Sequence, residues 1–505
     1  MTIALERLIT GIEGLDAILE GGLTRNRSTL VAGTSGSAKT VLAVQFLAEG
    51  ITKFDEPGVF VTLEESPDDL RKNMMGFGWD IEKWEREGKW AFVDASPRGR
   101  EQPIIAGEFD FGALIARVKN AAGKVKAKRA SIDTLAAIFL TYKDIDIVRR
   151  ELLLLTEALK ELKITSLITV ERLHEYGEIS RFGVEEFVTD NVIVLRNPME
   201  RERRRRTIEV LKLRGANHNK GEFPFCVSAG RGIAAIPLSA IELKQHSSNI
   251  RVTSGNDILD RMCNGGVFRD SVILVSGATG TGKTLLSTQF LNGGAKKNER
   301  CLLLAFEESR EQLFRNARGW GVDFEGLEKA GLLKVICMYP EVRGLEDHLL
   351  AMRTAIEEFK PQRVAVDSLS ALERAGHPRG FRELIIGLTS FIKTKEITGL
   401  FTATTSTLVG GASITETHIS TITDTIILLR YVELFGEIRR GITVLKMRGS
   451  KHEREIREML IDEHGMHIKE PFRRLAGVLS GNPQVLTEPF SPDGDSHAEA
   501  YSADG

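Results

Sequence analysis

The sequence predicts an α/β protein of two tandem domains, each with a mainly parallel β-sheet flanked by helices. Two glycine-rich loops of similar sequence lie 244 positions apart, and other short motifs recur in the same order around them. Short β-branched runs also alternate with amphipathic stretches, such as residues 151–162 between runs at 130–133 and 165–170. This alternation is typical of parallel sheets, which bind ligands at the carboxyl ends of their strands.

Each loop follows a short apolar run and begins a segment that reads as a helix, which is the context a phosphate-binding loop needs. The glycines let backbone N–H groups surround phosphate oxygens, the lysine reaches the β and γ phosphates, and the threonine hydroxyl holds Mg²⁺. One such loop can arise by chance, but two in register indicate two ATP sites. The expected nucleotide-binding residues are Gly33, Thr34, Ser35, Gly36, Ser37, Ala38, Lys39 and Thr40 in the first copy, and Gly277, Ala278, Thr279, Gly280, Thr281, Gly282, Lys283 and Thr284 in the second.

The repeat extends well beyond the two loops. The motif Glu64-Glu65-Ser66 recurs 243 positions later, and the apolar run that ends in Asp133 recurs 234 positions later, ending in Asp367. A tandem duplication explains this collinear order, and each copy is long enough to bury its own core. We expect the first domain at residues 1–240, a polar linker at 241–250, the second domain at 251–482, and a flexible tail that contains prolines and acidic residues at 483–505.

Composition narrows the classes of function. The formal net charge is −2, so no global basic field indicates a nucleic-acid partner. The arginine-rich residues 201–206 read as a solvated or subunit-facing surface rather than a DNA track. No apolar stretch approaches 18 residues and no signal-peptide pattern opens the chain, which predicts a cytoplasmic protein. The four cysteines lack metal-binding spacing and read as reduced thiols: Cys226, Cys263, Cys301 and Cys337.

Carboxylates beside each loop suit phosphoryl chemistry. Asp133 and Asp367 end apolar strands, which fits the second, water-mediated anchor of Mg²⁺ next to Thr40 and Thr284. A glutamate pair also follows an apolar run in each copy, where it can orient or deprotonate the group that attacks the γ phosphate. The alternative is a solvated start to the next helix, because acidic residues favour first turns. The expected catalytic residues are Glu64, Glu65, Glu307 and Glu308, with Glu307 also assigned to the metal.

Two further comparisons between the copies concern nucleotide handling. Phe77 and Trp320 each lie twelve residues after a glutamate pair, where a ring can lie against adenine or pack in the core; we assign Trp320 to the nucleotide. Ala38 stands where the second copy has Gly282. If this position needs a positive φ, the alanine costs on the order of 1 kcal/mol. We therefore expect the two sites to handle nucleotide differently.

The loops, both glutamate-pair strands and the segments at 176–187, 211–215 and 414–425 resemble the KaiC family of circadian clock proteins over roughly residues 5–482. The resemblance implies two RecA-like ATPase domains that assemble as a double-ring homohexamer with ATP between subunits. It implies slow ATP hydrolysis in the first ring and autophosphorylation and dephosphorylation in the second. The phospho-acceptors fall on Ser420 and Thr421, with Thr415 as a modulatory residue. The groups that reach nucleotide from the adjacent subunit fall on Lys212, Leu213, Arg214, His218, Lys446, Met447 and Arg448.

Positive charge near a transferring phosphoryl group stabilises its spreading negative charge, which gives the lysine–arginine pairs a physical role, although Lys-x-Arg on a strand is commonly a solvated face. An offset of 234 aligns Ser420 and Thr421 with Glu186 and Phe187, so only the second copy has hydroxyls that can accept phosphate there. The alternative treats Ser420 and Thr421 as ordinary strand or turn residues.

The resemblance also concerns partners. In the family the first ring receives KaiB and the C-terminal segment receives KaiA. The tail after Gly481 is short and not similar to the family's, so we expect KaiB binding but doubt dependence on KaiA, and an hourglass or stress role stays open beside a true oscillator. Two other classes share the fold: a DNA-dependent RecA-like ring ATPase, and a scaffold that binds ATP only to assemble. The near-neutral charge and the Ser420-Thr421 segment favour the clock kinase.

Overall fold

A computed structural model of the chain describes residues 5–96, 111–136, 145–180, 183, 185–200, 202–237, 247–405, 419–472, 475–478 and 484–485. The chain divides into two compact units, Met1–Ile241 and Glu242–Gly505. The division falls at the start of the predicted linker. Thr415, residues 241–246 of the linker and residues 486–505 of the tail lie outside the described residues. No helix among the described residues is long and apolar enough to span a bilayer.

The first unit is built on one nine-stranded sheet with the order β13-β12-β11-β8-β3-β7-β6-β4-β5. The six strands from β8 to β5 are parallel, and β11, β12 and β13 continue the sheet in antiparallel fashion. Two short antiparallel pairs, β1 with β2 and β9 with β10, lie outside it. The strands are β1 (Arg7–Leu8), β2 (Leu23–Thr24), β3 (Ser28–Gly33), β4 (Gly58–Thr62), β5 (Trp90–Asp94), β6 (Arg129–Asp133), β7 (Thr165–Glu171), β8 (Asn191–Arg196), β9 (Met199–Glu200), β10 (Arg203–Arg204), β11 (Thr207–Leu213), β12 (Glu222–Ser228) and β13 (Gly232–Ala235).

Helices cover this sheet, and the central strands β3, β4 and β6 are buried along their whole length. Burial on both faces explains why these strands read as continuous apolar runs rather than as alternating ones. The described helices of this unit are α1 (Leu15–Ile18), α2 (Lys39–Phe54), α3 (Pro67–Met75), α4 (Ile81–Arg86), α5 (Phe111–Val125), α6 (Ile145–Glu161) and α7 (Glu185–Val188).

The second unit repeats this plan with a nine-stranded sheet in the order β18-β17-β19-β20-β16-β21-β22-β23-β24. The strands from β18 to β21 are parallel and the last three are antiparallel. The strands are β14 (Arg251–Val252), β15 (Val267–Phe268), β16 (Val272–Gly277), β17 (Cys301–Ala305), β18 (Leu333–Cys337), β19 (Arg363–Asp367), β20 (Thr398–Thr404), β21 (Thr425–Leu434), β22 (Glu437–Met447), β23 (Arg457–Asp462), β24 (Gly465–Pro471), β25 (Leu475–Ala476) and β26 (Gln484–Val485). The described helices are α8 (Asp257–Met262), α9 (Lys283–Ala295), α10 (Arg310–Gly319), α11 (Phe324–Lys329), α12 (Leu345–Phe359), α13 (Leu369–Ala375), α14 (Pro378–Thr394) and α15 (Ile419–Ile422).

The predicted fold class is therefore confirmed: each unit has a mainly parallel sheet flanked by helices. The predicted boundaries of the domains, the linker and the tail stay predictions. Within the predicted tail, Gln484 and Val485 pair with Ala476 and Leu475 as strand β26.

A buried arginine ties the beginning of each unit to its phosphate-loop helix. Arg129, 1% exposed, donates hydrogen bonds to the carbonyls of Ile9, Thr10 and Phe46 and pairs with Glu56. In the second unit Arg363 donates to the carbonyls of Thr253 and Phe290 and pairs with Glu299 in the same way. Each guanidinium satisfies chain segments that are far apart in sequence, so it holds the entry strand against the core.

Two candidate nucleotide sites

Both phosphate-binding loops connect a buried strand to a helix, as the sequence predicted: β3 leads into α2, and β16 leads into α9. Lys39 Nζ donates to the carbonyl oxygens of Gly33 and Thr34 at 2.9 Å, and Lys283 Nζ donates to those of Gly277 and Ala278 at the same distance. Burial lowers the pKa of both lysines, which the carboxylates around each loop partly oppose.

Hydroxyl groups brace the two loops alike. Ser37 Oγ donates to Thr34 O at 2.7 Å, and Thr281 Oγ1 donates to Ala278 O at 2.8 Å. These bonds hold the turn closed from inside, while the loop tips Ser35, Gly36, Thr279 and Gly280 are exposed. The exposed backbone at each tip lies where the N–H groups of a helix start favour phosphate.

One position at the start of the loop helices has a left-handed backbone in both units but carries different residues, Ala38 and Gly282. Ala38 has φ +73° and Gly282 has φ +106°, so this place requires the left-handed region in both units. A Cβ on Gly282 would approach Ile461 Cδ1 to 2.9 Å. Val227 holds the place of Ile461 in the first unit's β12–β13 hairpin, and its side chain is one carbon shorter. An alanine in the second loop would therefore require the Ile461 side chain to shift, whereas the smaller Val227 leaves more space beside Ala38.

An aspartate at the end of a central strand contacts each loop threonine. Thr40 Oγ1 donates to Asp133 Oδ2 at 2.7 Å, and Thr169 Oγ1 donates to the other oxygen at 2.5 Å. Asp367 has the same environment, with hydrogen bonds from Thr402 and Thr284. Burial raises the pKa of both aspartates, and the hydroxyl donors only partly offset it.

The glutamate pairs lie in the turns after β4 and β17, next to these aspartates: Leu63 N donates to Asp133 O, and Phe306 N donates to Asp367 O. The serine of each repeated motif is the N-cap of α3 or α10, so its recurrence has a structural cause. The preceding glutamates lie directly before these N-caps, and their catalytic role stays a prediction.

The pKa values of three of these four glutamates are raised. Burial raises the pKa of Glu64, and Asp133 and Glu171 add to the effect. Burial and then Asp133 raise the pKa of Glu65, and burial and then Asp367 raise that of Glu308. A carboxyl with a raised pKa is a better proton acceptor than an ordinary glutamate, which suits a general base.

In the second unit the glutamate pair accepts hydrogen bonds from three described side chains. Glu307 accepts hydrogen bonds from Arg374 Nη2 and from Ser368 Oγ, the latter at 3.1 Å. Asn316 also donates to Glu308 at 2.9 Å, whereas the corresponding Asn73–Glu65 bond is 3.4 Å long. The two sites thus present their carboxylates in different environments.

Three residues at the loops were missed from sequence. Arg206 Nε donates to Gly36 O and Arg440 Nε to Gly280 O, and the two arginines are 234 positions apart, so the repeat offset could have identified them. Glu175 accepts from Thr34 Oγ1 at 2.8 Å and from the Asn197 amide. No sequence signal indicated Glu175, because only the course of the loop after β7 brings it there.

The lysine–arginine pairs lie far from their own loops. Asp424 N donates to the carbonyl of Val272, at the amino end of β16, whereas the loop starts at its last residue, Gly277. Lys446 Nζ donates to Thr423 O beside Asp424, and Arg448 Nη2 donates to Thr421 O. Five steps of about 3.3 Å place this group about 17 Å from the loop, at the opposite edge of the sheet.

The first unit has the same arrangement, with Lys212 Nζ on the carbonyls of Glu186 and Thr189. Leu213 and Met447 are buried core residues, and Arg214 and Arg448 are exposed. His218 is partly exposed. The one-turn helices α7 and α15 lie 234 positions apart in the same place of each unit, which confirms the alignment of Glu186 and Phe187 with Ser420 and Thr421.

The two aromatic residues are both half-buried against the core. Phe77 stacks on Trp79 with a centroid distance of 5.0 Å. Trp320 follows the last residue of α10 and packs against the core beside Val322. Each ring keeps a solvent-facing part, and the assignment of Trp320 to adenine stays a prediction.

The fold and the two loop sites define a tandem P-loop ATPase. A family model described as "ATPase: KaiC" matches residues 8–240 and again residues 252–472. The chain belongs to the KaiC family of circadian clock ATPases. It is 63% identical to the circadian clock protein KaiC3 of Synechocystis sp. over 96% of both chains. It is 55% and 53% identical to the circadian clock oscillator proteins KaiC of Thermosynechococcus vestitus and Synechococcus elongatus, over 96% of this chain and 93% of each relative. The DNA-dependent alternative finds no support in these matches.

Proposed function

We propose that the chain is an ATP-driven timing ring in which the first unit hydrolyses ATP and the second phosphorylates and dephosphorylates its own Ser420 and Thr421. The observation that carries this proposal is the placement of α15 and the Lys446–Arg448 pair at the sheet edge opposite the loop of the same unit. About 17 Å separates these groups, so the acceptor hydroxyls receive phosphate from a nucleotide bound to a neighbouring copy.

Hydrolysis in the first unit follows from its carboxylates. Glu64 orients the attacking water and takes its proton, a role that its raised pKa favours. Glu65 lies in the same turn, and its negative charge helps to raise the pKa of Glu64. Lys39 and the exposed backbone of the loop stabilise the negative charge that develops on the transferred group.

Phosphoryl transfer in the second unit replaces water with a side-chain hydroxyl. The pKa of Glu308 is raised, and an ion pair with Arg374 holds Glu307 in place. This glutamate pair therefore suits a side-chain hydroxyl, which moves less freely than water. The oxygen of Ser420 or Thr421 attacks the γ phosphorus, the bond to the β-bridging oxygen breaks, and the hydroxyl proton passes to a glutamate. Lys446 and Arg448 belong to the same chain as the acceptor, and they bring positive charge to the neighbour's phosphates.

Mg²⁺ fits the donors at each loop. Thr40 with Asp133, and Thr284 with Asp367, offer a hydroxyl and a carboxylate, which are the hard oxygen ligands that Mg²⁺ prefers. Bound there, it neutralises charge on the β and γ phosphates. Among the described residues, no group of three or more His, Cys, Asp or Glu side chains could hold a metal ion by itself.

Assembly follows from the geometry of the proposal. Each copy contributes a loop from one sheet edge and a lysine–arginine pair from the other, so neighbours arranged head to tail close into a ring, which we propose is a homohexamer. We further propose that the first ring binds a KaiB-like protein and that the ring works without KaiA.

A mixing experiment tests transfer between copies. One variant, Lys283→Ala, lacks a working second loop but keeps the acceptors; the other, Ser420→Ala/Thr421→Ala, keeps the loop but lacks the acceptors. Incubated together with γ-labelled ATP, the Lys283→Ala chains are expected to become labelled, although neither variant is labelled alone. Lys39→Ala in place of Lys283→Ala is the matched control for the first loop.

Two results would contradict the proposal. Label on Ser420→Ala/Thr421→Ala chains would show that the acceptors lie elsewhere. Labelling of wild type combined with unlabelled mixtures, in which the two variants have been shown to assemble, would show that transfer occurs within one chain. Mass spectrometry of the labelled peptides distinguishes the cases.

A further inference from the structure

Glu171, the last residue of β7, lies beside the start of the first phosphate-binding loop. It pairs in parallel register with Gly33, the first residue of that loop. Its side chain is exposed, and its carboxylate accepts no hydrogen bond from the residues that the structure describes. Neighbouring strands lie about 4.8 Å apart, so Glu171 is one strand away from the phosphate site.

The side chain of Glu171 is on the sheet face that carries the metal-binding groups. Successive side chains of a strand alternate between faces, so Glu171 shares its face with Thr169. Thr169 donates to Asp133, which also accepts from Thr40 in the first turn of α2. The intervening Val170 packs in a different core cluster from the one that contains α2. Because β7 runs parallel to β3, Glu171 lies one step beyond this aspartate, at the loop edge of the sheet.

Two charged groups of the first site respond to Glu171. Burial lowers the pKa of Lys39, and Glu171 is the strongest of the charges that oppose this effect. Burial raises the pKa of Glu64, and the charges of Asp133 and then Glu171 add to the increase. The other carboxylate after β7, Glu175, already accepts hydrogen bonds from the loop and from a backbone amide. Glu171 is therefore the carboxylate of this segment that keeps its acceptor capacity.

The second unit has a threonine in the same place. Thr404 ends β20 and pairs with the first residue of the second loop. Two residues earlier, Thr402 donates to Asp367, as its counterpart in β7 donates to Asp133. The register of the two sites is thus the same. The first site has a carboxylate at a position where the second has a hydroxyl.

We propose that Glu171 is a further catalytic residue of the first site, which accepts a hydrogen bond from the water that attacks the γ phosphorus. This inference rests on the proposed hydrolysis in the first unit. A water molecule has two O–H bonds. One donates to Glu64, which takes the proton, and the other donates to Glu171, which keeps its charge. A lone pair of the water oxygen then faces the γ phosphorus, a new P–O bond forms, and the bond to the β-bridging oxygen breaks.

The same reasoning explains the difference between the units. The alcohol that attacks in the proposed transfer has a single O–H bond, so one carboxylate is enough to receive its proton. Thr404 therefore does not impair transfer in the second unit. In the first unit, an additional acceptor restricts how the water can rotate, which favours hydrolysis.

Steady-state hydrolysis by the full-length chain tests the inference. Lys283→Ala disables the second loop, so ADP forms in the first unit alone. In this background Glu171→Thr, which introduces the residue of the second unit, is expected to lower kcat about tenfold or more with little change in KM. Glu171→Asp keeps the carboxylate and should retain more of the kcat. Glu161→Thr makes the same change at the exposed end of α6 and should leave both constants unaltered.

The separation of kcat from KM distinguishes this role from a simpler one. A lower KM with an unchanged kcat in Glu171→Thr would overturn the proposal, because it would show that Glu171 only competes with the phosphates for Lys39. Equal constants in an active Lys283→Ala chain would refute this inference alone. If that chain formed no more ADP than Lys39→Ala/Lys283→Ala, the proposed hydrolysis would fail, and this inference with it.

A gain of activity protects the test against misfolding. Thr404→Glu supplies the second site with the carboxylate of the first, and Lys39→Ala in the same chain leaves only the second site working. ADP formation is expected to rise about threefold or more relative to Lys39→Ala alone. A folding defect cannot produce such a gain. Equal or lower ADP formation would overturn the proposal.

Discussion

The left-handed position at the start of the loop helices allows a sharp test of how the two sites diverged. Gly282→Ala in the second unit places a Cβ 2.9 Å from Ile461 Cδ1 at a residue whose φ is +106°. The backbone conformation costs about 1 kcal/mol or more for an alanine, and overpacking adds about 1–3 kcal/mol. We therefore expect Gly282→Ala to destabilise the loop and α9 by about 2–4 kcal/mol.

Adding Ile461→Val should recover part of this loss, because valine lacks the Cδ1 that the new methyl group meets. On its own, Ile461→Val costs about 0.5–1.5 kcal/mol. In the Gly282→Ala background we expect it to stabilise by about 1 kcal/mol. The two changes are thus strongly non-additive, in the sense of a double-mutant cycle.

Hydrogen–deuterium exchange of peptides from α9 measures the effect without assuming that a two-unit chain unfolds in one step. A loss of about 2 kcal/mol corresponds to about thirtyfold faster exchange. The matched variant in the first unit is Val227→Ile, which should destabilise α2 beside Ala38 and be tolerated once Ala38→Gly is added. Equal exchange in Gly282→Ala with and without Ile461→Val would refute the steric reasoning.

Three other predictions concern the first unit. Burial raises the pKa of Glu64 above its ordinary value of 4.5, so hydrolysis by chains with a disabled second loop should begin to decline at a higher pH than an ordinary glutamate gives. A pH–rate profile measures this, and a profile centred at 4.5 would contradict the base assignment. Burial raises the pKa of Asp133, so the stability of the folded state decreases as the pH rises from 3.8 through the raised pKa. Asp133→Asn should therefore raise the melting temperature at about pH 7 and abolish hydrolysis. An unchanged or lower melting temperature would contradict this reasoning. Arg129→Met removes the donor to three carbonyls, two of them buried, and leaves Glu56 with Arg25 as its remaining cation. It should cost about 3–5 kcal/mol in denaturant unfolding, against little change for the exposed Arg150→Met.

Much of the fold was accessible from sequence because the chain contains its own alignment. The duplication alone points to both loops, the aspartates at the strand ends and the glutamate pairs. It also shows that Ala38 stands where the second copy has Gly282, and the structure confirms a positive φ at that position. A set of motifs that recurs in the same order is strong evidence for a repeated fold, because chance rarely produces such a recurrence.

Contacts between strands were harder to predict. The pairing of Arg196 with Glu209 and Glu222 depends on the register of β8, β11 and β12, which hairpin lengths decide and which no short motif encodes. Glu175 reaches Thr34 only through the path of a loop.

The buried residues Arg129 and Arg363 limit how the chain can be divided into fragments. Arg363 donates to the carbonyl of Thr253, which directly follows the second unit's first strand, β14, and Arg129 donates to the carbonyls of Ile9 and Thr10, which directly follow β1. A fragment of the second half that starts after Thr253 would leave a buried guanidinium short of an acceptor. Proteolytic removal of residues at the start of either unit should therefore destabilise that whole unit, although the cleavage point lies far from the nucleotide site.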